Sequence, residues 1–138
     1  MALTVYLLSQ TARLGKRTLD DRLVERGLQL RHMAVLAALA DGGSTSQLEL
    51  ARRLRIDPGD MTAIIDGLEG QSLVTRTVDP GDRRRRVIRS TRAGTVRLKQ
   101  LVKLAEEVAD DLLAPLSPAR RRRLHEDLTV VLRAARAT

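Results

Sequence analysis

Four consecutive arginines, Arg83, Arg84, Arg85 and Arg86, are the residues of this chain best suited to chemistry with a polyanion. A guanidinium keeps its charge at any physiological pH, and its planar fork of donors matches a phosphate or the edge of a base. The run follows Asp79-Pro80-Gly81-Asp82, which is turn chemistry. It is flanked by Leu73-Val74-Thr75-Arg76-Thr77-Val78 and by Val87-Ile88-Arg89. The flanks are β-branched, with Thr and Arg at alternate places, so the stretch reads as a β-hairpin with a cationic tip. The plain alternative is a loop whose arginines only keep the surface soluble.

The rest of the reactive inventory is thin. There are no cysteines, which excludes disulfides, thiolate metal sites and thiol redox sensing. His32 and His125 lie far apart without neighbouring cysteine, so no metal and no cofactor is expected. The serines lack a plausible His and Asp arrangement, no glycine-rich loop is built to cradle a phosphate, and Gly42-Gly43 merely ends a helix. An enzyme is not expected.

Lysine and arginine total 25 against 17 acidic residues, a formal +8 over 138 residues, which points to a polyanionic partner and first of all to double-stranded DNA. Hydrophobic residues make up 43% of the chain but aromatics only 1%, with Tyr6 alone, so the core must be built from Leu, Val, Ile, Ala and Met. That favours helix packing over a β-sandwich and argues against recognition by stacking on single strands. Tyr6, Gln10 and Arg13 follow closely on the first apolar run, and no stretch has the length and apolarity of a membrane span. A cytoplasmic, nucleoid-associated protein with no membrane partner is the expectation.

The elements that must carry the arginines are helical. Over residues 4–26, Leu8, Ala12, Gly15, Leu19 and Leu23 recur in steps of four, three, four and four, and Gly27 is placed to cap that helix. Residues 30–40 keep Met33, Leu36, Leu39 and Ala40 in register until Asp41-Gly42-Gly43 stops them. Ser46-Gln47-Leu48-Glu49 has capping-box spacing and opens a helix to Leu54 that buries Leu50, Ala51 and Leu54. Asp57 then suits an N-cap and Pro58 the first helical position, and the helix to Gly70 buries Met61, Ile65 and Leu68. Two short helices across a tight turn, followed at once by the hairpin, give helix-turn-helix plus wing. Thr91 caps a long helix whose stripe, Val96, Leu98, Leu101, Val102, Ala105, Val108, Ala109, Leu112 and Leu113, reaches Leu116. Ser117-Pro118 restarts the pattern with Leu124, Leu128, Val131 or Leu132, and Ala135.

The expected fold is mainly α with a small β-hairpin wing. It is one domain over residues 1–138, with a winged-helix region at 30–92 and helical dimerisation regions at 1–29 and 93–138. A winged-helix unit of about 90 residues does not need the first and last helices for its own core. Their spare apolar faces fit a two-fold homodimer, with Leu7, Leu8, Leu112, Leu113, Leu116, Leu128, Val131 and Leu132 at the interface. The alternative is a monomer whose end helices pack on each other.

With these residues in hand, the sequence resembles the multiple antibiotic resistance regulator (MarR) family of winged-helix transcription factors over nearly its whole length. The resemblance is carried by Ser46-Gln47-Leu48-Glu49-Leu50-Ala51, by Asp57-Pro58, by Leu68-Glu69-Gly70-Gln71-Ser72-Leu73-Val74-Thr75-Arg76, by Asp79-Pro80-Gly81-Asp82-Arg83-Arg84 and by Thr91-Arg92-Ala93-Gly94, in that order. It implies a homodimer that binds palindromic operators, usually as a repressor released by a small phenolic or anionic effector. It also implies Arg84 as the wing-tip arginine, with Asp82 steadying it by ion pairing.

A helix fits the major groove and reads base edges there. On the helix after Asp57 the outward positions are Gly59, Asp60, Thr62, Ala63, Asp66 and Gly67, with Thr62 placed to touch a thymine methyl or a phosphate. Ser46, Gln47 and the N–H groups opening their helix are expected against phosphate. Asp82, Arg83, Arg84, Arg85 and Arg86 would reach the adjacent minor groove. One departure stands out: Asp57, Asp60, Asp66 and Glu69 make the reading helix acidic, without a Lys or Arg over residues 57–72. Such a helix repels a duplex unless its carboxylates accept from cytosine amino groups or pair with neighbouring arginines. The wing with Arg52, Arg53 and Arg55 is then expected to supply most of the attraction. Two other readings follow from the same residues: a winged helix that binds a protein through its acidic face, or a non-specific architectural DNA binder.

A second run, Arg120, Arg121, Arg122 and Arg123, opens the last helix, where cations oppose the dipole. It is expected to answer Glu106, Glu107, Asp110 and Asp111 rather than form a second nucleic-acid site. By the resemblance, an effector would sit near His32, Met33 and Leu36, with Arg13 and Arg17 one turn apart to attract an anion. Plain surface exposure explains His32 and the two arginines equally well.

Overall fold

The computed structural model describes residues 3–137. Six helices and three strands follow in the order α1 Thr4–Val24, α2 Leu30–Gly42, β1 Thr45–Ser46, α3 Gln47–Leu54, α4 Pro58–Gly70, β2 Val74–Asp79, β3 Asp82–Ser90, α5 Arg92–Leu112 and α6 Pro118–Arg136. Local chemistry sets these boundaries. α1 ends in a Schellman arrangement: Leu28 N–H donates to Leu23 O and Gly27 N–H to Val24 O, with Gly27 at φ +68°. Ser46 Oγ accepts from Glu49 N–H at 3.1 Å to open α3. Asp57 Oδ2 accepts from Gly59 N–H at 2.9 Å and Pro58 takes the first position of α4. Thr91 Oγ1 accepts from Gly94 N–H at 3.0 Å and donates to Ser72 O at 2.7 Å, so the start of α5 is tied to the turn before β2.

The ribbon is not two-stranded. β1, two residues long, pairs antiparallel with β3 through Thr45↔Ile88 and Ser46↔Val87, giving a three-stranded sheet in the order β1-β3-β2. The arginines also lie differently from the hairpin tip expected for them. Pro80 and Gly81 make the turn, and the arginines belong to β3. Between the pairs Asp79↔Asp82 and Val78↔Arg86, β3 advances four residues while β2 advances one, so Arg83, Arg84 and Arg85 form a bulge beside the turn.

One core joins the C-terminal end of α1, the helices α2 to α4, the roots of β2 and β3, and the middle of α5. Leu23, Leu36, Leu50, Ile65, Ile88 and Leu101 are at its centre. Three apolar stripes are narrower than the periodicity indicates. α2 buries Val35, Leu36 and Leu39, while Ala40 is exposed. In α1 only Leu23 is buried; Leu19 packs on the core from the side, and Leu8 and Ala12 face outward. α5 buries Leu101, Leu104 and Val108, leaving Val96, Val102 and Ala109 exposed. Burial follows where neighbouring elements touch each helix, whatever the width of its apolar face. Leu54 is half-buried rather than buried, and α6 buries none of its residues.

Candidate nucleic-acid interface

The N-terminal ends of α3 and α4 converge below the wing. Gln47, the first residue of α3, donates from Nε2 to Thr62 Oγ1 at 2.9 Å, and Thr62 Oγ1 donates in turn to Pro58 O at 3.1 Å. The Gln47 amide is therefore steadied against α4 on the wall of that site. Across from these residues stand Asp82, Arg84, Arg85 and Arg86. Together with Ser46, Gln47, Pro58 and Thr62 they line a groove of about 420 Å³ between the helices and the wing. A groove walled by a helix N-terminus on one side and guanidinium groups on the other suits a phosphate-bearing strand.

Within the wing, carboxylates shape backbone more than they neutralise charge. Asp79 Oδ1 accepts from Gly81 N–H at 2.8 Å and Asp82 Oδ1 accepts from Arg84 N–H at 3.0 Å. Asp82 thus fixes the backbone at Arg84 and does not ion-pair with its side chain. Arg85 approaches Asp79 Oδ2 at 3.4 Å, and Arg86 donates to Arg83 O at 3.0 Å. Among the described residues no carboxylate pairs with the guanidinium groups of Arg83 and Arg84.

The acidic helix has its own counter-ions. Arg76, on β2, donates from Nη2 to both Asp66 Oδ1 and Glu69 Oε1, the latter at 3.2 Å, and reaches Gln47 Oε1 from Nη1 at 3.5 Å. The bond to Asp66 outweighs burial and holds this guanidinium more firmly protonated than usual. Arg31 of α2 approaches Asp60 at 3.4 Å, and Asp57 is the helix cap. All four carboxylates of the reading helix are thus engaged. Sequence reasoning missed Arg76 and Arg31. Arg76 was legible in principle: Val74, Arg76 and Val78 share one face of β2, and Arg76 is opposite the buried Ile88.

The remaining expected contacts divide. Gly59, Asp60, Ala63 and Asp66 are exposed on α4 outside the groove, as is Arg83 on the wing. Gly67 is exposed too and lies beside α2: a Cβ there would stand 3.1 Å from His32 Nε2. Arg52 pairs with Glu49 at 3.9 Å, Arg53 lies against Gly42 at the end of α2, and Arg55, in left-handed conformation at φ 54°, lines a different cavity. None of these three lines the groove, so the wing arginines carry its positive charge.

Residues 26–85 match the model of the MarR family. It is 30% identical over 86 residues to the HTH-type transcriptional repressor NicR of Pseudomonas putida, covering 62% of this chain and 54% of NicR. The chain spans about half the length of the curated relatives it matches, from 48% to 60%. Its fold is that of MarR from E. coli in the apo form, with a TM-score of 0.83 at 22% identity over 96% of this chain and 98% of that one. A Mycobacterium tuberculosis MarR-family protein in complex with DNA gives the same TM-score, 0.83, at 22% identity over 95% and 98%.

A second cavity, about 580 Å³, lies between α1, α2 and the turn joining α3 to α4. Lys16, Arg31 and Arg55 stand around its rim with one carboxylate, Asp20, and Val24, Leu30, Ala34, Leu54 and Ile56 form its apolar walls. None of the residues expected at an effector site lines it. Leu36 is sealed in the core, Met33 packs against the core, and Arg13 and Arg17 are exposed on α1. His32 serves the local structure, since its Nδ1 accepts from Gln29 N–H at 2.9 Å while the Gln29 side chain takes the His32 N–H, a reciprocal cap at the start of α2. Burial lowers the His32 pKa from its ordinary value.

At the two ends of the chain apolar side chains stand uncovered. Leu7 and Leu8 on α1 and Leu128, Val131 and Leu132 on α6 are exposed, Val131 at 62%. Leu112, Leu113 and Leu116 are half-buried. Of the second arginine run, Arg121 pairs with Asp110 at 3.6 Å, whereas Glu107 is answered by Arg22 of α1, also at 3.6 Å. Among the described residues no helix is long and apolar enough to cross a membrane, and no group of three or more His, Cys, Asp and Glu side chains could hold a metal ion.

Proposed function

We propose that this chain is a DNA-binding transcriptional regulator, a homodimeric repressor of palindromic operators, and not an enzyme. The observation that carries the proposal is the groove between α3, α4 and β3, with Thr62 on one wall and the guanidinium of Arg84 on the other. α4 enters the major groove, and the bulge at Arg83, Arg84 and Arg85 follows the backbone into the adjacent minor groove. The acidic face that favoured a protein partner is paired internally through Arg76 and Arg31, which supports DNA over that reading. Homodimerisation is supported by the uncovered leucines and valines of α1 and α6. The cationic rim and apolar walls of the 580 Å³ cavity suit a small anionic effector, such as an aromatic carboxylate, that releases the operator. Selection of bound duplexes from a random pool at near-physiological salt tests the central reading. An enriched palindrome with half-sites about one helical turn apart is the expected outcome. Retention without enrichment would replace it with architectural binding, and no retention would overturn DNA binding altogether.

A further inference from the structure

α4 has the wrong charge for a helix that reads DNA. Asp57, Asp60, Asp66 and Glu69 face no Lys or Arg on their own helix, and DNA presents a dense row of phosphates to anything that enters its groove. Two of the four carboxylates, Asp66 and Glu69, are gathered by one cation from another element, Arg76 of β2. The burial is uneven: the Arg76 side chain is 20% exposed, against 57% for Asp66 and 43% for Glu69. The cation is enclosed between sheet and helix, and the carboxylates are drawn down onto it. Its other nitrogen reaches Gln47 Oε1, and Gln47 Nε2 holds Thr62. A single guanidinium therefore ties the wing strand, the first turn of α3 and two turns of α4.

We propose that Arg76 is the positioning residue of the reading head: it screens Asp66 and Glu69 from the duplex and locks α4 to the wing, without itself contacting phosphate. The inference rests on the DNA-binding reading above. Arg76 commits both terminal nitrogens to protein partners, unlike Arg83 and Arg84, so its charge serves the protein and theirs serves the ligand. Once Arg76 is lost, the two carboxylates turn to solvent and repel the duplex. Once the carboxylates are also neutralised, there is nothing left to screen.

That reversal is the test. Fluorescence anisotropy with a labelled duplex from the selection pool, across a range of salt, is measured for the unmodified chain, Arg76→Gln, Asp66→Asn with Glu69→Gln, and the triple variant. Arg76→Gln is expected to weaken binding about tenfold or more while the slope of log K against log salt stays unchanged, since no phosphate contact is removed. The triple variant is expected to recover to within about threefold of the unmodified chain. A salt slope reduced by about one in Arg76→Gln, with no recovery in the triple variant, would make Arg76 a phosphate contact and overturn the proposal. Unchanged affinity in Arg76→Gln would overturn it equally. If Arg76→Gln melts below the assay temperature, the triple variant, which leaves no carboxylate unpaired at these positions, is read alone against the unmodified chain, and affinity within about threefold is still required. Failure of the unmodified chain to bind any duplex would overturn the DNA reading itself, whereas binding without recovery overturns only the role of Arg76.

Discussion

Arg84 and Arg76 are the same residue type eight positions apart, and they are put to opposite uses. Arg84 sits in a bulge with its backbone fixed by Asp82 and its guanidinium unpaired by any carboxylate among the described residues. Arg76 sits on the inner face of a strand among acids. The first use was legible because four arginines beside turn residues have no place in a core. The second was not, because two flanking valines make residues 74–78 read as ordinary alternation, and the partners lie seven and ten residues back on a different element. His32 shows the same limit: its sequence position reads equally well as an effector contact or as plain surface, and does not reveal that its Nδ1 accepts the Gln29 N–H at the start of α2. Its pKa is lowered in the folded chain, so the unfolded chain binds the extra proton more readily. The contribution is fully present above the ordinary value near 6.5 and is lost as pH falls below it toward the lowered one. Urea denaturation midpoints should therefore decline between about pH 7 and pH 5. In His32→Gln, which keeps a capping acceptor without titrating, the decline should be shallower; an identical decline would remove His32 as its source.

Among the elements, the helix starts were readable and the sheet was not fully so. Ser46, Asp57, Thr91 and Ser117 all cap as their side chains allow, because capping is local chemistry over three or four residues. β1 is two residues long and has no alternation to read; it exists because the loop after α2 runs beside β3. Stripe width misled for a similar reason, since burial depends on the neighbour present and not on the helix alone. One local motif has a sharper consequence than its spacing reveals. Gly94, in the first turn of α5, packs so closely that an added Cβ would collide with the Leu73 carbonyl oxygen, which already accepts from Thr91 N–H. Gly94→Ala is accordingly expected to lower stability by about 2–4 kcal/mol in chemical denaturation, despite the better helix propensity of alanine. Thr91→Ala removes the cap and the bond to Ser72 O and should lower it by about 1–2 kcal/mol. Equal stability of the alanine variant at 94 would mean that α5 starts elsewhere.

At the scale of the whole molecule, the distribution of apolar surface favours two copies over one. A lone 15.3 kDa chain would leave α6 without a buried residue and the start of α1 lined with bare leucines. α1 and α6 do not pack closely on each other within the chain, and a two-fold partner would cover both. Sedimentation velocity should return a dimer for the unmodified chain. Replacing Leu128 and Leu132 by Asp should shift it toward the 15.3 kDa monomer, with helical circular dichroism retained because neither side chain is buried within its own chain. A monomer for the unmodified chain would remove the second reading head, and with it the expectation of palindromic sites. A dimeric reading head also turns each wing contact into two, so one substitution acts twice on binding.

The central claim, that the unpaired wing arginines supply the attraction that an internally neutralised reading helix cannot, is tested most directly by titrating the selected duplex with Arg84→Ala across a salt series. Loss of about tenfold or more in affinity, with a shallower salt slope and unchanged melting temperature, is the expected result. Unaltered affinity in Arg84→Ala, together with abolished binding in Thr62→Ala, would contradict it and assign recognition to α4 alone.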